Sequence, residues 1–348
     1  MPRCGLLCRG SFLALLLVAC SAGQGGGIPP NGPPAGLAPR ENAVSPLSTG
    51  NVYVANTYIS TVTLYSAGGT SVRRTITNGI EYPNSLALDK SATLYVGNFG
   101  TANGSFNSSV SVYPPGSAQP ARVITAGILG PFALAIAPSG RLYVANYGTS
   151  TITIYDRGSV HVRQTISKGI KAPEALAFDR AGNLYVANWQ ANTVTVYGPG
   201  KVSPKTTISK GVFRPDALTF DSAGNLYVAN QVGNSVAVYA PGKLDQPVQI
   251  RKGIRKPVSL ISTSSGQLYV LNYANDTVSI YDESTLALAG VISDGVACPT
   301  TMAMSKPGQL YVANACPSKV SVYAPGGMKP LRSITHGIDY PVAIGITP

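Results

Sequence analysis

Two carboxylates, Glu174 and Asp216, lie 42 positions apart, and each follows a proline by one residue. Such a pair suits acid–base work or the holding of a cation. Reactive groups are otherwise scarce: the 348-residue chain has 14 Asp and Glu and 2 His, His161 and His336. No Ser-His-Asp order and no cluster at metal-ligand spacing stands out, so no catalytic residue, metal or cofactor is assigned. Of the 5 Cys, Cys4, Cys8 and Cys20 lie in the first twenty residues, leaving Cys298 and Cys316. The remaining polar-aromatic resource is unusual, with 19 Tyr, 7 Phe and a single Trp, Trp189.

The elements that carry these residues are legible from a repeat. Tyr53, Tyr95, Tyr143, Tyr185, Tyr227, Tyr269 and Tyr311 recur at spacings of 42, with one of 48 between Tyr95 and Tyr143. A second tyrosine series (Tyr65, Tyr113, Tyr155, Tyr197, Tyr239, Tyr281, Tyr323) and a proline series (Pro83 to Pro341) keep the same step. A period near 42 indicates a propeller or a solenoid. One unit decides between them. It reads as strands at Glu174–Asp179, Leu184–Asn188, Thr193–Tyr197 and Thr206–Ile208, separated by Gly/Pro/Asn turns. Four short strands on tight turns make a propeller blade, and no helical periodicity competes.

The first unit starts at its second strand, and an extra inner strand, Val342–Thr347, follows the last. Pairing that C-terminal strand into the first blade predicts an all-β, seven-bladed propeller over 51–348, four strands per blade, with no open edge. Leu184-Tyr-Val-Ala-Asn188 followed by Thr193-Val-Thr-Val-Tyr197 resembles the YVTN and NHL β-propeller repeats. That resemblance implies the fold; the families include binding scaffolds, lyases and lactonases.

Ahead of the repeats, 1–19 carries Arg3, Arg9 and the apolar stretch Phe12–Val18, too short to span a membrane and readable as a secretory signal. Leu17-Val18-Ala19-Cys20 resembles the lipobox of bacterial lipoproteins, which implies cleavage before Cys20 and lipidation of its thiol. Residues 20–50 are Gly/Pro-rich and poor in large apolar side chains, a flexible tether of ~30 residues spanning roughly 30 Å. The expected location is therefore the bacterial cell envelope, outside the cytoplasm, with a membrane contact through the lipid. There Cys298 and Cys316, at neighbouring ends of antiparallel strands, are expected to form a disulfide, for which a loop of ~18 residues suggests roughly 3 kcal/mol.

Fourteen tyrosines belong to the two repeat series and read as blade core. The others, Tyr58, Tyr82, Tyr147, Tyr273 and Tyr340, fall in loops expected on one face, together with Phe99, Phe106, Trp189 and Phe213. The loops of the opposite face carry no aromatic. Rings with a polar edge suit sugar or peptide recognition, so Tyr58, Tyr82, Phe99, Tyr147, Trp189, Phe213, Tyr273 and Tyr340 are the candidate binding residues; the alternative is that they pack as lids over blade junctions. The six extra residues of the second unit fall between Asn98 and Val110, on this face. An Asn closes the second strand of every unit, from Asn56 to Asn314, and strict repetition argues for a structural role.

The chain is basic, +12 overall, with Lys168, Lys171, Lys210, Arg214, Lys252, Arg255 and Lys256 concentrated in three consecutive units. That sector could attract anionic glycans, phospholipid headgroups or acidic proteins. The sequence reading is a monomeric, envelope-anchored binding scaffold for a protein, peptide or glycan, without nucleic acid. Its alternative is a metal-dependent lactonase- or hydrolase-like propeller with Glu174 and Asp216 at the axial mouth. Asn84 occupies the equivalent place in the first unit, and gluconolactonase-like propellers use acidic and amide ligands around the axis; Phe132, Val258, Thr300 and Val342 fill the other equivalent places, so the chain does not clearly match that set.

Overall fold

The computed structural model describes residues 50–100 and 107–348. The expected signal, Cys20, nearly all of the tether, Phe106 and most of the insertion in the second unit lie outside the described residues. Those that are described form 28 strands, β1 to β28 in chain order, arranged as seven antiparallel four-stranded sheets. Blade 4 consists of β12 (Pro173–Phe178), β13 (Leu184–Asn188), β14 (Thr193–Tyr197) and β15 (Thr206–Ile208), in that order from the axis outward. Blades 2, 3, 5, 6 and 7 follow the same plan over 83–124, 131–166, 215–250, 257–292 and 299–334.

Blade 1 is composite. β28 (Pro341–Ile346) pairs antiparallel with β1 (Val52–Asn56), which continues through β2 (Thr61–Tyr65) to β3 (Val72–Ile76). The register runs from Val52↔Ile346 to Asn56↔Pro341, and the Thr347 hydroxyl accepts the backbone N–H groups of Gly50 and Asn51, both at 3.0 Å. Each inner strand packs on that of the next blade, and blade 7 returns to blade 1, so the ring is closed.

The second strand of each blade is buried along its length, Gln267 at the start of blade 6's excepted, because both of its faces meet neighbouring sheets. In β13, Leu184 and Val186 pack toward blade 3 while Tyr185 packs toward Leu226 and Val228 of blade 5. Alternate side chains thus build two different interfaces, the period-two rule acting inside a core.

Three sets of hydrogen bonds repeat around the ring. The Asn ending each second strand accepts the backbone N–H of the loop that leads into the inner strand. Asn188 accepts from Lys171 (3.0 Å), Asn230 from Phe213 (2.8 Å) and Asn56 from Asp339 (3.1 Å). Its Nδ2 donates to third-strand hydroxyls, as Asn188 does to Thr195 at 3.0 Å. In every blade the second-series tyrosine donates its hydroxyl to a carbonyl of the same loop, for example Tyr239 to Lys210 at 2.7 Å. Finally, the residue before each marker proline is left-handed, including Ala172 (φ 49°), Arg214 (φ 51°) and Lys256 (φ 45°). A side chain disfavours that conformation. In each case the N–H is held by an oxygen from the preceding blade, Ser150, Asn192 and Asn234 respectively.

The sequence-based strands are recovered to within a residue, with one consistent difference: each inner strand begins at the proline itself. The pairing then slips by one residue, as in Pro173↔Asn188 followed by Ala175↔Ala187, so the residue after the proline is a bulge in all seven blades. Cys298 and Cys316 are bridged, with Cα atoms 5.6 Å apart, and tie the two rim loops of blade 7 together.

Asn188→Ala deletes four hydrogen bonds made by a fully buried amide and leaves the Lys171 N–H without its acceptor. At ~1–3 kcal/mol for a stranded buried group, a loss of about 3 kcal/mol in urea unfolding is expected. Burial also pushes the hydroxyls of Tyr65, Tyr113, Tyr197, Tyr239 and Tyr323 up to about 12. The folded state holds these protons to higher pH than the unfolded chain, whose tyrosines ionise near ~10. Their contribution is therefore complete below about pH 10 and is lost as pH rises toward 12. Circular dichroism should show cooperative alkaline unfolding in that window.

Candidate ligand-binding rim

The lead-in loops and the loops after the second strands lie together on one face, joined by the hydrogen bonds just described. On this rim the bulged residues are Asn84, Phe132, Glu174, Asp216, Val258, Thr300 and Val342. Their environments are largely closed. Glu174 is 3% exposed and Asp216 6%, and Asp216 accepts a hydrogen bond from Gln231 at 2.9 Å. Thr300 donates to the Pro341 carbonyl at 2.6 Å, and Asn84 donates to that of Phe132 at 3.3 Å.

The mouth is best furnished across blades 3 to 5. Phe132 and Tyr147 meet at 5.7 Å between ring centroids. Tyr147 is half-buried, and its hydroxyl is raised first by desolvation and then by the charge of Glu174, an effect opposed by a hydrogen bond with Gln190 and by Arg214. The Arg214 guanidinium lies 4.0 Å from the centroid of the Trp189 ring, a cation–π contact. The indole N–H of Trp189 is buried and has no hydrogen-bond partner among the described residues. The left-handed turn at Arg214 and the short loop after β13 bring the two residues together.

The remaining candidates are spread around the rim. Tyr58, 55% exposed, stacks on Tyr340 with centroids 4.2 Å apart. Tyr340 and Tyr273 also pack against buried clusters of blades 1–2 and 6–7. Phe99 lies against Gly130, Tyr82 is half-buried, and Phe213 is 48% exposed. The structure thus brings Tyr147 near Glu174, Trp189 against Arg214, and Tyr58 against Tyr340, without forming one continuous aromatic platform. Sequence reasoning missed the partnership of Arg214 with Trp189 and of Phe132 with Tyr147. The signal for both was their place beside the marker proline.

The basic sector occupies the same rim. Lys168, Lys171, Lys210, Lys252 and Arg255 are exposed, and Arg214 and Lys256 are half-buried. The corresponding loops of blades 7, 1 and 2 carry Asp294, Asp339 and Glu81 instead, so the rim is electrostatically two-sided. Among the described residues no group of three or more His, Cys, Asp or Glu side chains could hold a metal ion, and no helix is long and apolar enough to cross a membrane. Glu174 and Asp216 follow the marker prolines of adjacent blades, and both are buried.

No protein-family model matches the chain, and no curated protein matches it in sequence. Solved structures do match. A protein of unknown function from Desulfotomaculum acetoxidans aligns with TM-score 0.70 at 16% identity, over 86% of this chain and 99% of that one. Kuenenia stuttgartiensis hydrazine synthase aligns with TM-score 0.67 at 16% identity, over 83% and 99%. Virginiamycin B lyase from Staphylococcus aureus aligns with TM-score 0.60 at 11% identity, over 75% and 87%. At these identities the likeness is one of fold.

Proposed function

We propose that this chain is an envelope-anchored binding propeller of the YVTN/NHL type, working through its aromatic rim and held to a membrane by lipid on Cys20. The observation that carries the binding role is the constellation of Trp189, Arg214 and Tyr147 beside Glu174 at the mouth of blades 3–5. An aromatic face, a cation, an indole donor and a carboxylate on neighbouring blades offer stacking and directional hydrogen bonds to a polar ligand, whether peptide or glycan. The repeated Leu-Tyr-Val-Ala-Asn strands support the family reading. Anchoring is supported by the Leu17–Cys20 motif. The metal-dependent hydrolase reading gains no support from the carboxylate pair, which is buried and, among the described residues, is joined by no third His, Cys, Asp or Glu in a metal-holding group.

The test uses the anchored protein in intact envelopes with a photocrosslinker at Gln190. A discrete adduct is expected, lost on Trp189→Ala and on Tyr147→Ala while the thermal midpoint is kept; Cys20→Ser should abolish palmitate labelling and release the protein from membranes. Adducts insensitive to both rim substitutions would contradict binding at this mouth.

A further inference from the structure

The seven repeats can be compared position by position, and blade 5 departs from the others in a concerted way. Arg251, just beyond its outer strand (Val248–Ile250), stands where the other six blades carry Ser or Thr. Ala237, in its third strand, stands where the other six carry a hydroxyl residue. Gln249 stands where the others have Thr, Ser or Val, and Phe213 is the only aromatic at its lead-in position. A scaffold under packing constraint alone has no reason to change these four places in the same blade.

The structure shows where the changes meet. In blades 4 and 6 the hydroxyls of Thr195 and Ser279 donate to the lead-in carbonyls of Gly169 and Gly253, at 2.9 and 2.8 Å. Ala237 has no such group, and the equivalent carbonyl, Gly211, is taken by the side-chain amide of Gln249 at 3.0 Å together with Asn230 at 2.9 Å. That contact fixes which way the Gln249 amide points. Its Oε1 is left buried, with no hydrogen-bond partner among the described residues. Around it opens a pocket of about 340 Å³, lined by Phe213, Asn230, Ser235, Gln249 and Arg251 among others. The volume lies at the lower end of the ~300–1,000 Å³ range of small-ligand sites. Arg251 reaches the Gly233 carbonyl with one nitrogen at 3.3 Å and is otherwise exposed. Lys210 and Lys252 flank the pocket in neighbouring lead-in loops, and no acidic residue lines it.

We propose that this pocket is a binding site for an acidic sugar residue within an anionic oligosaccharide. Each feature of the pocket finds its counterpart in one pyranose uronate. The guanidinium of Arg251 takes the carboxylate, with the geometry and permanent charge that Arg supplies. The buried Gln249 Oε1 accepts from a ring hydroxyl, and the exposed Phe213 ring covers the apolar C–H face of the sugar. Neighbouring acidic residues of the polymer meet Lys168, Lys171 and Arg255, which continue the positive sector onto blades 4 and 6. The assignment names a ligand class for the blade 5 part of the rim. It does not require the Trp189 mouth to be occupied.

The test is calorimetric titration of the purified full chain in detergent with hexagalacturonate, with neutral maltohexaose and with hexaglutamate. Saturable binding of hexagalacturonate is expected, weakening with added salt and exceeding both other probes. Arg251→Ser installs the residue class that the other blades tolerate, so the fold is retained, and it should weaken binding by about tenfold or more. Gln249→Thr, another repeat-like substitution, serves as the second variant and should also weaken it. Trp189→Ala is titrated in parallel to separate binding in this pocket from binding at the mouth. No binding of hexagalacturonate, equal binding by both repeat-like variants, or equal binding of maltohexaose would overturn the proposal. So would tighter binding of hexaglutamate, which would make an acidic peptide the occupant, or a loss confined to Trp189→Ala.

Discussion

One buried amide per blade organises the rim. The Asn that ends each second strand ties together three pieces of chain that the repeat otherwise leaves separate: its own strand, the third strand and the lead-in loop of the inner strand. Because the Asn is fully or almost fully buried, leaving its partners unmet would cost far more than an exposed hydrogen bond is worth. The loop therefore has no inexpensive alternative conformation. The tyrosine hydroxyl from the third strand and the oxygen supplied by the preceding blade pin it at two further points. Together they hold the residue before the proline in a conformation that a side chain disfavours. The inter-blade bonds need an unbroken circle, which is why the pairing of β28 with β1 matters beyond its own strand.

This division of labour frees particular positions for function. The pinned groups are backbone atoms, so the side chains of the lead-in loops are nearly unconstrained by the scaffold. The bulge after each proline likewise accepts a different side chain in nearly every blade. The outcome is a rigid rim with variable content. Basic residues gather over blades 4 to 6, acidic ones over blades 7, 1 and 2, and rings are distributed between them. A field of this kind orients an approaching anionic partner before any short-range contact forms.

The fold was unusually legible because its constraints repeat. The spacing of Tyr53 to Tyr311, the turn residues and the surplus strand at the C-terminus were enough to derive blade number, strand order and closure. The disulfide followed from strand ends that antiparallel pairing must bring together. The site was less legible for a physical reason. A bulge alters the pairing without altering residue type or spacing, so the sequence marks Glu174 and Asp216 as a carboxylate pair but not their burial or the slipped register beside them. The contact of Arg214 with Trp189 depends on a left-handed turn that nothing about Arg announces. Arg251 and Gln249 were visible all along as departures from the repeat, yet their meaning required the pocket that joins them.

Native-state hydrogen exchange of the backbone N–H groups of Lys171, Phe213 and Arg255 tests the central claim most directly. These amides lie in exposed loops, but each donates to a buried Asn oxygen. They should exchange only through global unfolding, with the same dependence on denaturant as the amides of the second strands. Fast exchange at loop rates, independent of denaturant, would contradict a rim held rigid by its buried amides.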